Sequence, residues 1–294
     1  MAVGNINIDI SLRVPRIPGP DENVRADDYW VGLGGAASNY SIAVARLGQR
    51  AVLVARAGRE AVALGLLDRL ASEGVDTGNV EVVDEPSGVV VVLLVADEGY
   101  RSMVTVRGAN EGLSASMLPP GGDVVHLASV RPGLVREACR ARRLCTYDPG
   151  GEAFRDPEGV AGAARSVDYL FLNSRELEAL TGESRAEAAT SLTGGRLRAV
   201  IVKCGGGGAV IVDSSGVVAS ARPPRVPVVD VTGAGDAFNA AFNMWMLWKA
   251  DQLEALRAAV AAGAAKTARR GSSNMPQPSE VEALIPRVEV ARRR

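Results

Sequence analysis

Short β-branched runs alternate with longer stretches of helical period, and this alternation limits the possible folds more than any other feature of the chain. The runs lie at residues 52–55, 124–127, 144–147, 169–172 and 200–202. Helices are predicted to begin near Gly35, Ala61, Leu134 and Ser174. Strands that alternate with helices form βαβ units, in which parallel strands are covered by helices on both faces. The sequence therefore predicts an α/β fold with a central, mostly parallel β-sheet flanked by helices.

Two segments, residues 12–31 and 88–107, break this pattern because they contain alternating strands without an intervening helix. Residues 89–95 and 101–106 are predicted to form a hairpin, with Asp97-Glu98-Gly99-Tyr100 as the turn. We interpret both segments as a small β-sheet lid on a single domain that spans residues 1–294. A lid can exclude water from a reaction site. An ordinary β-meander packed on the core has the same pattern and remains an alternative.

Composition narrows the class of partner. The chain has 294 residues, 47% of them apolar, which suffices for a full core. A net charge of −1 argues against nucleic acid or an anionic membrane as a partner. Three cysteines without a CxxC pair are predicted to be buried thiols: Cys139, Cys145 and Cys204. With no apolar segment long enough to cross a membrane, a cytoplasmic location is expected.

The end of the chain is predicted to be helical, with helices at residues 234–249, 253–269 and 279–284 and a solvated basic tail at residues 292–294. Small residues precede an acid at the start of the first of these helices, in Gly233-Ala234-Gly235-Asp236. The free N–H groups of a helix start attract an anion, and small side chains let it approach closely. Asp236 can then accept the proton of an attacking hydroxyl. It can equally be an ordinary capping acid.

This segment resembles the second signature of the ribokinase-like, or pfkB, carbohydrate kinases. The first signature is matched by Gly34-Gly35-Ala36-Ala37-Ser38-Asn39-Tyr40-Ser41, followed by Gly48 and Gly58. The resemblance extends from Gly4 to about Asn274. It implies a ribokinase-like fold and nucleotide-dependent phosphorylation of a hydroxyl of a sugar or nucleoside. Asp236 is then the catalytic base, and Gly233, Ala234, Gly235 and Asp236 form the anion hole.

The resemblance also implies which residues bind the acceptor. The family's substrate-gripping strand, its next loop and its lid-exit motif are matched by Asn7, Asp9, Gly34, Gly35, Asn39, Arg107 and Asn110. Asn7 and Asp9 share one face of a strand, which supports a joint role. Strand-end and helix capping are the alternatives for Asn7, Asp9 and Asn39.

Nucleotide and cation sites follow in the same way. The resemblance assigns to the nucleotide Asn173, Lys203, Gly205, Gly207, Gly271 and Asn274. Glu176 of the Asn-x-x-Glu motif is expected to organise Mg²⁺ through water, which suits an ion that keeps its hydration shell. Asp230 and Thr232 resemble the region that holds a monovalent cation such as K⁺. ATP is the expected donor, and ADP is an alternative because the family has ADP-dependent members.

Departures from the family pattern leave the acceptor open. Position 36 is Ala, where the ribose-specific branch usually has Lys, and Val231 replaces the usual Thr. A nucleoside, a ribose-type sugar, a keto-deoxy sugar acid and a sugar phosphate all remain candidates. Arg101, Arg107 and Arg131 are either anion-binding residues for such an acceptor or ordinary surface charges, and Arg107 beside the lid exit is the favoured one. The lid strands are also expected to pair two chains into a homodimer.

Other chemistries fit poorly. His126 is the only histidine and lies in an apolar strand, so it is interpreted as a packed residue rather than a catalyst. No Gly-Lys-Ser/Thr is present, which excludes a P-loop. Residues 32–37 match G-x-G-x-x-A, but the preceding segment is not a convincing parallel strand for a dinucleotide site. A non-catalytic sugar-binding protein on a kinase fold remains a candidate from a different class.

Overall fold

The computed structural model describes residues 1–95, 100–140 and 142–292, which contain a ten-stranded and a four-stranded sheet. The strands are β1 (Ala2–Gly4), β2 (Asn7–Val14), β3 (Asp28–Gly34), β4 (Ala51–Gly58), β5 (Val75–Val83), β6 (Gly88–Val95), β7 (Tyr100–Val106), β8 (Val124–Ala128), β9 (Leu144–Asp148), β10 (Tyr169–Asn173), β11 (Ala199–Lys203), β12 (Ala209–Asp213), β13 (Gly216–Arg222) and β14 (Glu289–Arg292). The helices are α1 (Ala36–Arg46), α2 (Arg59–Ala63), α3 (Leu66–Ser72), α4 (Pro132–Ala138), α5 (Glu152–Arg155), α6 (Pro157–Ala164), α7 (Ser174–Thr181), α8 (Ala234–Lys249), α9 (Gln252–Thr267) and α10 (Pro278–Leu284).

The large sheet has the order β14-β13-β12-β11-β10-β9-β8-β1-β4-β5. Its seven strands from β11 to β5 pair in parallel, so the predicted α/β class is confirmed. All five predicted runs lie in these strands. The antiparallel additions β12, β13 and β14 were not predicted. The expectation of a solvated tail is wrong at Arg292, which pairs with Ala219, because this edge of the sheet offers unpaired backbone groups; residues 293 and 294 lie outside the described part.

The small sheet has the order β3-β2-β6-β7, with β2 and β6 parallel and the outer pairs antiparallel. Strands from both segments predicted as a lid form it, but it begins at Asn7 rather than at residue 12, includes Gly34, and leaves residues 15–27 as a loop between β2 and β3. Its first strand follows β1 after only two residues, so the expected opening strand is divided between the two sheets. The predicted hairpin is present as β6 and β7, and its turn residues 96–99 lie outside the described residues.

Strand register gives the small sheet two different faces. Asp9 lies opposite Val90 and then Thr105, while Arg13 lies opposite Leu94 and then Arg101, so Asp9 and Arg101 share one face. The other face is apolar and consists of Ile10, Leu12, Tyr29, Val31, Val89, Val91, Leu93, Val104 and Val106. The polar face adjoins the site described below.

Two apolar clusters, one on each face of the large sheet, form the core. On one side the buried rings of Phe171 and Phe242 meet edge to face at 5.4 Å. His126 belongs to this side as well: it is 1% exposed, stacks on Tyr40 at 4.1 Å and bonds Thr146 through Nδ1. Its interpretation as a packed residue is confirmed, since burial also lowers its pKa to about 3.

The cysteines differ from the prediction. Cys139 at the end of α4 and Cys145 in β9 form a disulfide with Cα atoms 5.5 Å apart, while Cys204 is an exposed free thiol. The prediction of three buried thiols was wrong because pairing depends on where α4 ends against β9, which spacing alone does not reveal. No helix among the described residues is long and apolar enough to cross a membrane.

Candidate active site

Charged side chains converge where three parallel strands end. Asp148 ends β9, Asn173 ends β10 and Lys203 ends β11, and the N-terminus of α8 faces the same edge. The ends of neighbouring parallel strands meet at one edge of a sheet, which is the usual place for a ligand in an open α/β fold. Asn173 and Lys203 were predicted from the sequence, whereas Asp148 was not.

Asp236 lies in the first turn of α8 and, among the described residues, is hydrogen-bonded by one side chain. Its Oδ2 accepts a hydrogen bond of 2.8 Å from Nδ2 of Asn39 in α1. Burial raises the pKa of Asp236 to about 7, and the nearby charge of Asp148 acts in the same direction. A carboxyl group with a pKa near neutrality suits a general base, because it is available in its ionised form and still binds a proton well.

Asp148, by contrast, is stabilised in its ionised form. Its Oδ2 accepts from Nζ of Lys203 at 2.6 Å and from Nδ2 of Asn239 at 2.7 Å. Although burial opposes ionisation, Lys203 and these hydrogen bonds lower the pKa of Asp148. The carboxylates of Asp148 and Glu176 likewise raise the pKa of Lys203 against the effect of burial. Two carboxyl groups with pKa values driven apart are typical of an acid–base site.

The loop before α8 is shaped for an anion. Gly233 has a φ of +82°, and a Cβ there would overlap the carbonyl of Ser272. The amide of Ala234 donates to the carbonyl of Val231 at 3.2 Å. Three of the four amides predicted to bind the anion therefore remain as candidates. Gly233 is the N-cap, and Gly235 and Asp236 belong to the first turn of α8, where N–H groups have no intrahelical partner. Nζ of Lys203 lies 3.4 Å from the place of a Cβ on Gly235, beside these amides.

Asn173 and Glu176 form a capping box at the start of α7. The side chain of Asn173 accepts from the amide of Glu176 at 2.9 Å, and Glu176 accepts from the amide of Asn173 at 2.8 Å. Glu176 is 7% exposed, and burial together with Asp148 raises its pKa to about 7. The described residues contain no cluster of three or more His, Cys, Asp and Glu arranged to hold a metal.

Asp9 lies on the polar face of the small sheet and is 8% exposed. Its Oδ2 accepts from Oγ of Ser272 at 2.7 Å, and burial raises its pKa to about 6. A Cβ on Gly34 would overlap this carboxylate, and Gly35 has a φ of +101°, so both glycines are needed where β3 leads into α1. Asp9, Gly34, Gly35 and Asn39 thus line one wall that faces Asp236.

Asn7, Arg107 and Asn110 are committed to other contacts. The side chain of Asn110 donates to Asn7 and to the carbonyls of Ile6 and Arg107, and it accepts from the amide of Ile6. Arg107 donates to the carbonyl of Ser129 and pairs with Glu152 at 3.1 Å. These contacts fix the junction between the two sheets, and the roles of the three residues toward the acceptor stay predictions.

Arg101 is the arginine of the small sheet that faces the site. It lies on the same face as Asp9, and its Nε is buried without a hydrogen-bond partner among the described residues. Burial lowers its pKa, while the charges of Asp230 and Asp236 act against that effect. Arg131 instead forms an ion pair with Glu111, a carboxylate that also pairs with Arg107.

The loop of residues 230–236 before and at the start of α8 is called the anion loop below. The residues expected to bind nucleotide or cation lie in or around it. Thr232 and Gly271 donate through their amides to the carboxylate of Asp230 at 2.8 and 2.9 Å. Oδ1 of Asn274 accepts from Arg269 at 3.0 Å. Gly205 and Gly207 lie in an exposed turn directly after Lys203.

Comparison with known proteins identifies the family. A family model described as pfkB family carbohydrate kinase matches residues 1–280. The chain belongs to this family. An ATP-dependent ribose-1-phosphate kinase of Halopiger xanaduensis is 32% identical to this pfkB kinase over 294 residues, with 97% of each chain covered. A ribokinase of Haemophilus influenzae is 26% identical, with 95% of each chain covered.

Solved structures agree with the fold. The crystal structure of ribokinase from Thermotoga maritima superposes with a TM-score of 0.84 at 27% identity, covering 97% of this pfkB kinase and 98% of that chain. A nucleoside kinase from Methanocaldococcus jannaschii has the same fold, with a TM-score of 0.82 at 20% identity over 97% of each chain. The predicted family and ribokinase-like fold are confirmed, and the chain is a phosphotransferase of the carbohydrate kinase type.

Sequence reasoning missed four residues of this site: Asp148, Asn239, Lys266 and Arg101 as the arginine that faces Asp236. Asp148 carried a usable signal, because it is an acid directly after a buried strand whose neighbours also end in site residues. Lys266 carried another. The chain has 33 basic residues, and its only lysines are Lys203, Lys249 and Lys266.

Proposed function

We propose that this pfkB kinase transfers the γ-phosphoryl group of ATP to a hydroxyl of a ribose derivative that already carries a phosphate, with ribose 1-phosphate as the favoured acceptor. The observation that carries this choice is Arg101, which is half-buried, shares a face with Asp9 and has a buried Nε without a hydrogen-bond partner in the described part of the chain. A guanidinium suits a phosphate through paired N–H donors. Free ribose carries no anionic group that the guanidinium of Arg101 could bind.

Two further observations support a phosphorylated acceptor. The relative named as a ribose-1-phosphate kinase is 32% identical, whereas the ribokinase of Haemophilus influenzae is 26% identical. Position 36 is Ala, where the resemblance leads us to expect Lys in a ribose-specific enzyme. Keto-deoxy sugar acids remain a second candidate, because a carboxylate also suits Arg101.

The mechanism follows from the site geometry. The acceptor ring lies against Asp9 and Asn39, so that its reacting hydroxyl faces Asp236. Asp236 takes the proton as the hydroxyl attacks, and Asn39 holds the carboxylate in place through Nδ2. The amides of Gly235 and Asp236 and the ammonium of Lys203 stabilise the charge on the transferred phosphoryl group.

Mg²⁺ fits the acidic edge of the sheet. Glu176 and Asp148 lie close enough for their charges to affect each other, and both are near Lys203. Because Mg²⁺ usually keeps several waters and binds through phosphates, two nearby carboxylates suffice to orient it. When bound with ATP, the ion supplies neutralising charge on the phosphates. The small sheet acts as a lid that excludes water from this site.

A homodimer through the apolar face of the small sheet is part of the proposal. Tyr29, Val31, Val104 and Val106 on that face are 69%, 48%, 63% and 57% exposed. Contiguous exposed apolar residues on one sheet face are typical of an interface. A second copy of the chain presents the same face, so the two are self-complementary about a two-fold axis.

The test measures ADP release with ATP and Mg²⁺ across ribose 1-phosphate, ribose 5-phosphate, ribose, inosine and a keto-deoxy sugar acid. We expect kcat/KM for ribose 1-phosphate to exceed that for ribose by about 100-fold, since a charged hydrogen-bond pair contributes roughly 1.5–3 kcal/mol. Arg101→Gln should raise KM for the phosphorylated acceptor by about 10-fold or more with little change for ribose. Arg131→Gln is the matched control. Preference for free ribose would contradict the proposal.

A further inference from the structure

A buried lysine next to the anion loop takes no part in the mechanism above. Lys266 in the last turn of α9 is 0% exposed, and its Nζ donates to the carbonyl of Arg269 at 3.1 Å. Lysine is almost never fully buried without a partner. The chain uses arginine for all but three of its basic residues, yet two of those three lysines, Lys203 and Lys266, adjoin this loop.

Charges of both signs lie near Lys266. Burial lowers the pKa of Lys266, whereas the carboxylates of Asp230 and Asp236 raise it. The positive charges of Arg269 and Arg101 also lower this pKa, but each has a smaller effect than the carboxylates. The two carboxylates therefore favour the charged ammonium. Since Asp236 lies in the first turn of α8 and Asp230 starts the anion loop, the positive charge of Lys266 acts on the segment that is proposed to bind the transferred phosphoryl group.

The backbone around Lys266 joins the segment of Asp230 and Thr232, where a monovalent cation was expected, to the turn after α9. The amides of Val229 and Asp230 both donate to the carbonyl of Thr267, at 2.7 and 3.0 Å. The carboxylate of Asp230 returns to the amide of Gly271. Nζ of Lys266 binds the Arg269 carbonyl inside this same turn.

These contacts do not fit a bound K⁺. Backbone carbonyls usually hold such an ion. Here the ammonium of Lys266 already donates to the carbonyl of Arg269 and carries its own positive charge. Two cations in one poorly solvated place repel each other strongly. The ammonium of Lys266 therefore already supplies a positive charge where K⁺ was expected, near Asp230 and Thr232.

We propose that the ammonium of Lys266 replaces a monovalent cation and positions the anion loop, so that the kinase needs no K⁺. Lys266 holds the turn after α9 against residues 230–236, and its charge favours the phosphate-bound state of the loop. It is a positioning residue, because it acts through the loop. The inference rests on the anion hole of the proposed function.

The test compares kcat and KM in choline chloride and in KCl for the wild type, Lys266→Ala, Lys266→Met and Lys249→Met. Lys249 is an exposed lysine at the end of α8 and is the matched control. We expect wild type and Lys249→Met to change less than about twofold on adding K⁺. Lys266→Ala should lose about 10-fold in kcat in choline, less than the 10²–10³ lost with a direct oxyanion donor.

Rescue separates positioning from simple structural damage. Lys266→Ala leaves room for an ion, so K⁺ or NH₄⁺ should restore about 5-fold of its kcat, as expected for a partly recovered electrostatic contribution. Lys266→Met fills the space without charge and should not respond. Activation of the wild type by K⁺ of 5-fold or more, or full activity of Lys266→Met in choline, would overturn the inference.

A second measurement is independent of the acceptor. The rise in Tm produced by ATP and Mg²⁺ should be equal in choline and KCl for the wild type, and it should become K⁺-dependent in Lys266→Ala. If the wild type phosphorylates no acceptor, the proposed function has failed, and this Tm comparison alone decides the inference. A K⁺-dependent rise in the wild type would overturn it.

Discussion

Two carboxyl groups at the carboxyl edge of the sheet differ in their environments more than in their chemistry. Asp148 is paired with Lys203 at 2.6 Å, and its pKa is lowered, whereas Asp236 accepts from the side-chain amide of Asn39 and has a pKa raised to about 7. One residue therefore stays ionised and fixes Lys203. The other is suited to exchange a proton with the acceptor.

The raised pKa of Asp236 predicts a change in stability with pH. The folded protein keeps a proton on Asp236 up to about pH 7, while the unfolded chain loses it near the ordinary aspartate pKa of 3.8. The free energy of unfolding therefore falls as pH rises between these values. Asp236→Asn removes this loss, so the variant should have a higher Tm than the wild type at pH 8 and a similar Tm below pH 4. Equal Tm differences at both pH values would contradict the burial of Asp236.

Signatures in the sequence indicated Asp236, Asn39, Asn173 and Glu176, and the structure brings Asp236 and Asn39 into contact. Asn173 and Glu176 form the capping box that was the alternative to their predicted nucleotide and Mg²⁺ roles, which stay predictions. Partners that depend on register were not predictable. Arg101 faces the site only because β6 and β7 pair Leu94 with Arg101, and Arg107 was favoured over it on motif alone. The Cys139–Cys145 pair was missed for the same reason, since a chain with three cysteines does not indicate which two meet.

At the scale of elements, the turn after α9 connects the small sheet to the large one. Arg270 pairs with Asp28 at 2.6 Å and stacks its guanidinium 4.0 Å from the ring centre of Trp30, both in β3. Ser272 bonds Asp9 and the carbonyl of Leu33. The same turn carries the Lys266 contact, so the lid, the anion loop and α9 share one connection.

Arg270→Ala should therefore weaken acceptor binding more than folding. Its ion pair is partly exposed, and such pairs contribute about 0–1 kcal/mol, with a similar contribution from an exposed cation–π contact. We expect a Tm change of only a few degrees, and a KM for the acceptor raised several-fold with kcat less affected. Arg59→Ala, which removes an exposed pair with Asp84, is the control. An unchanged KM would show that this contact does not hold the lid.

The order of strands and helices along the chain was largely predictable from the sequence. The strands at the antiparallel edge of the large sheet were not. Periodicity located the parallel strands and helix α8, because each must bury an apolar face. The antiparallel strands β12 to β14 follow instead from the open side of β11, which the local sequence does not encode. The division of the first strand into β1 and β2 depends on Gly4, where a Cβ would overlap the carbonyl of Ala128.

For the whole molecule, the apolar outer face of the small sheet predicts the oligomeric state. Light scattering after size exclusion should give twice the chain mass of 30.6 kDa. Val104→Asp places a charge in the centre of that face and should give a monomer, because burying an unpaired carboxylate is costly. Val228→Asp changes an equally exposed valine elsewhere and should remain a dimer. A monomeric wild type would contradict the proposed interface.

The most direct test of the account is the rate of phosphoryl transfer by Asp236→Asn. The variant keeps the shape of the side chain and an acceptor for Asn39, but it cannot take the proton of the acceptor hydroxyl. We predict a loss in kcat of about 10²–10⁴ on ribose 1-phosphate with a modest change in the KM for ATP. A loss of less than about 10-fold would contradict the assignment of Asp236 as the general base.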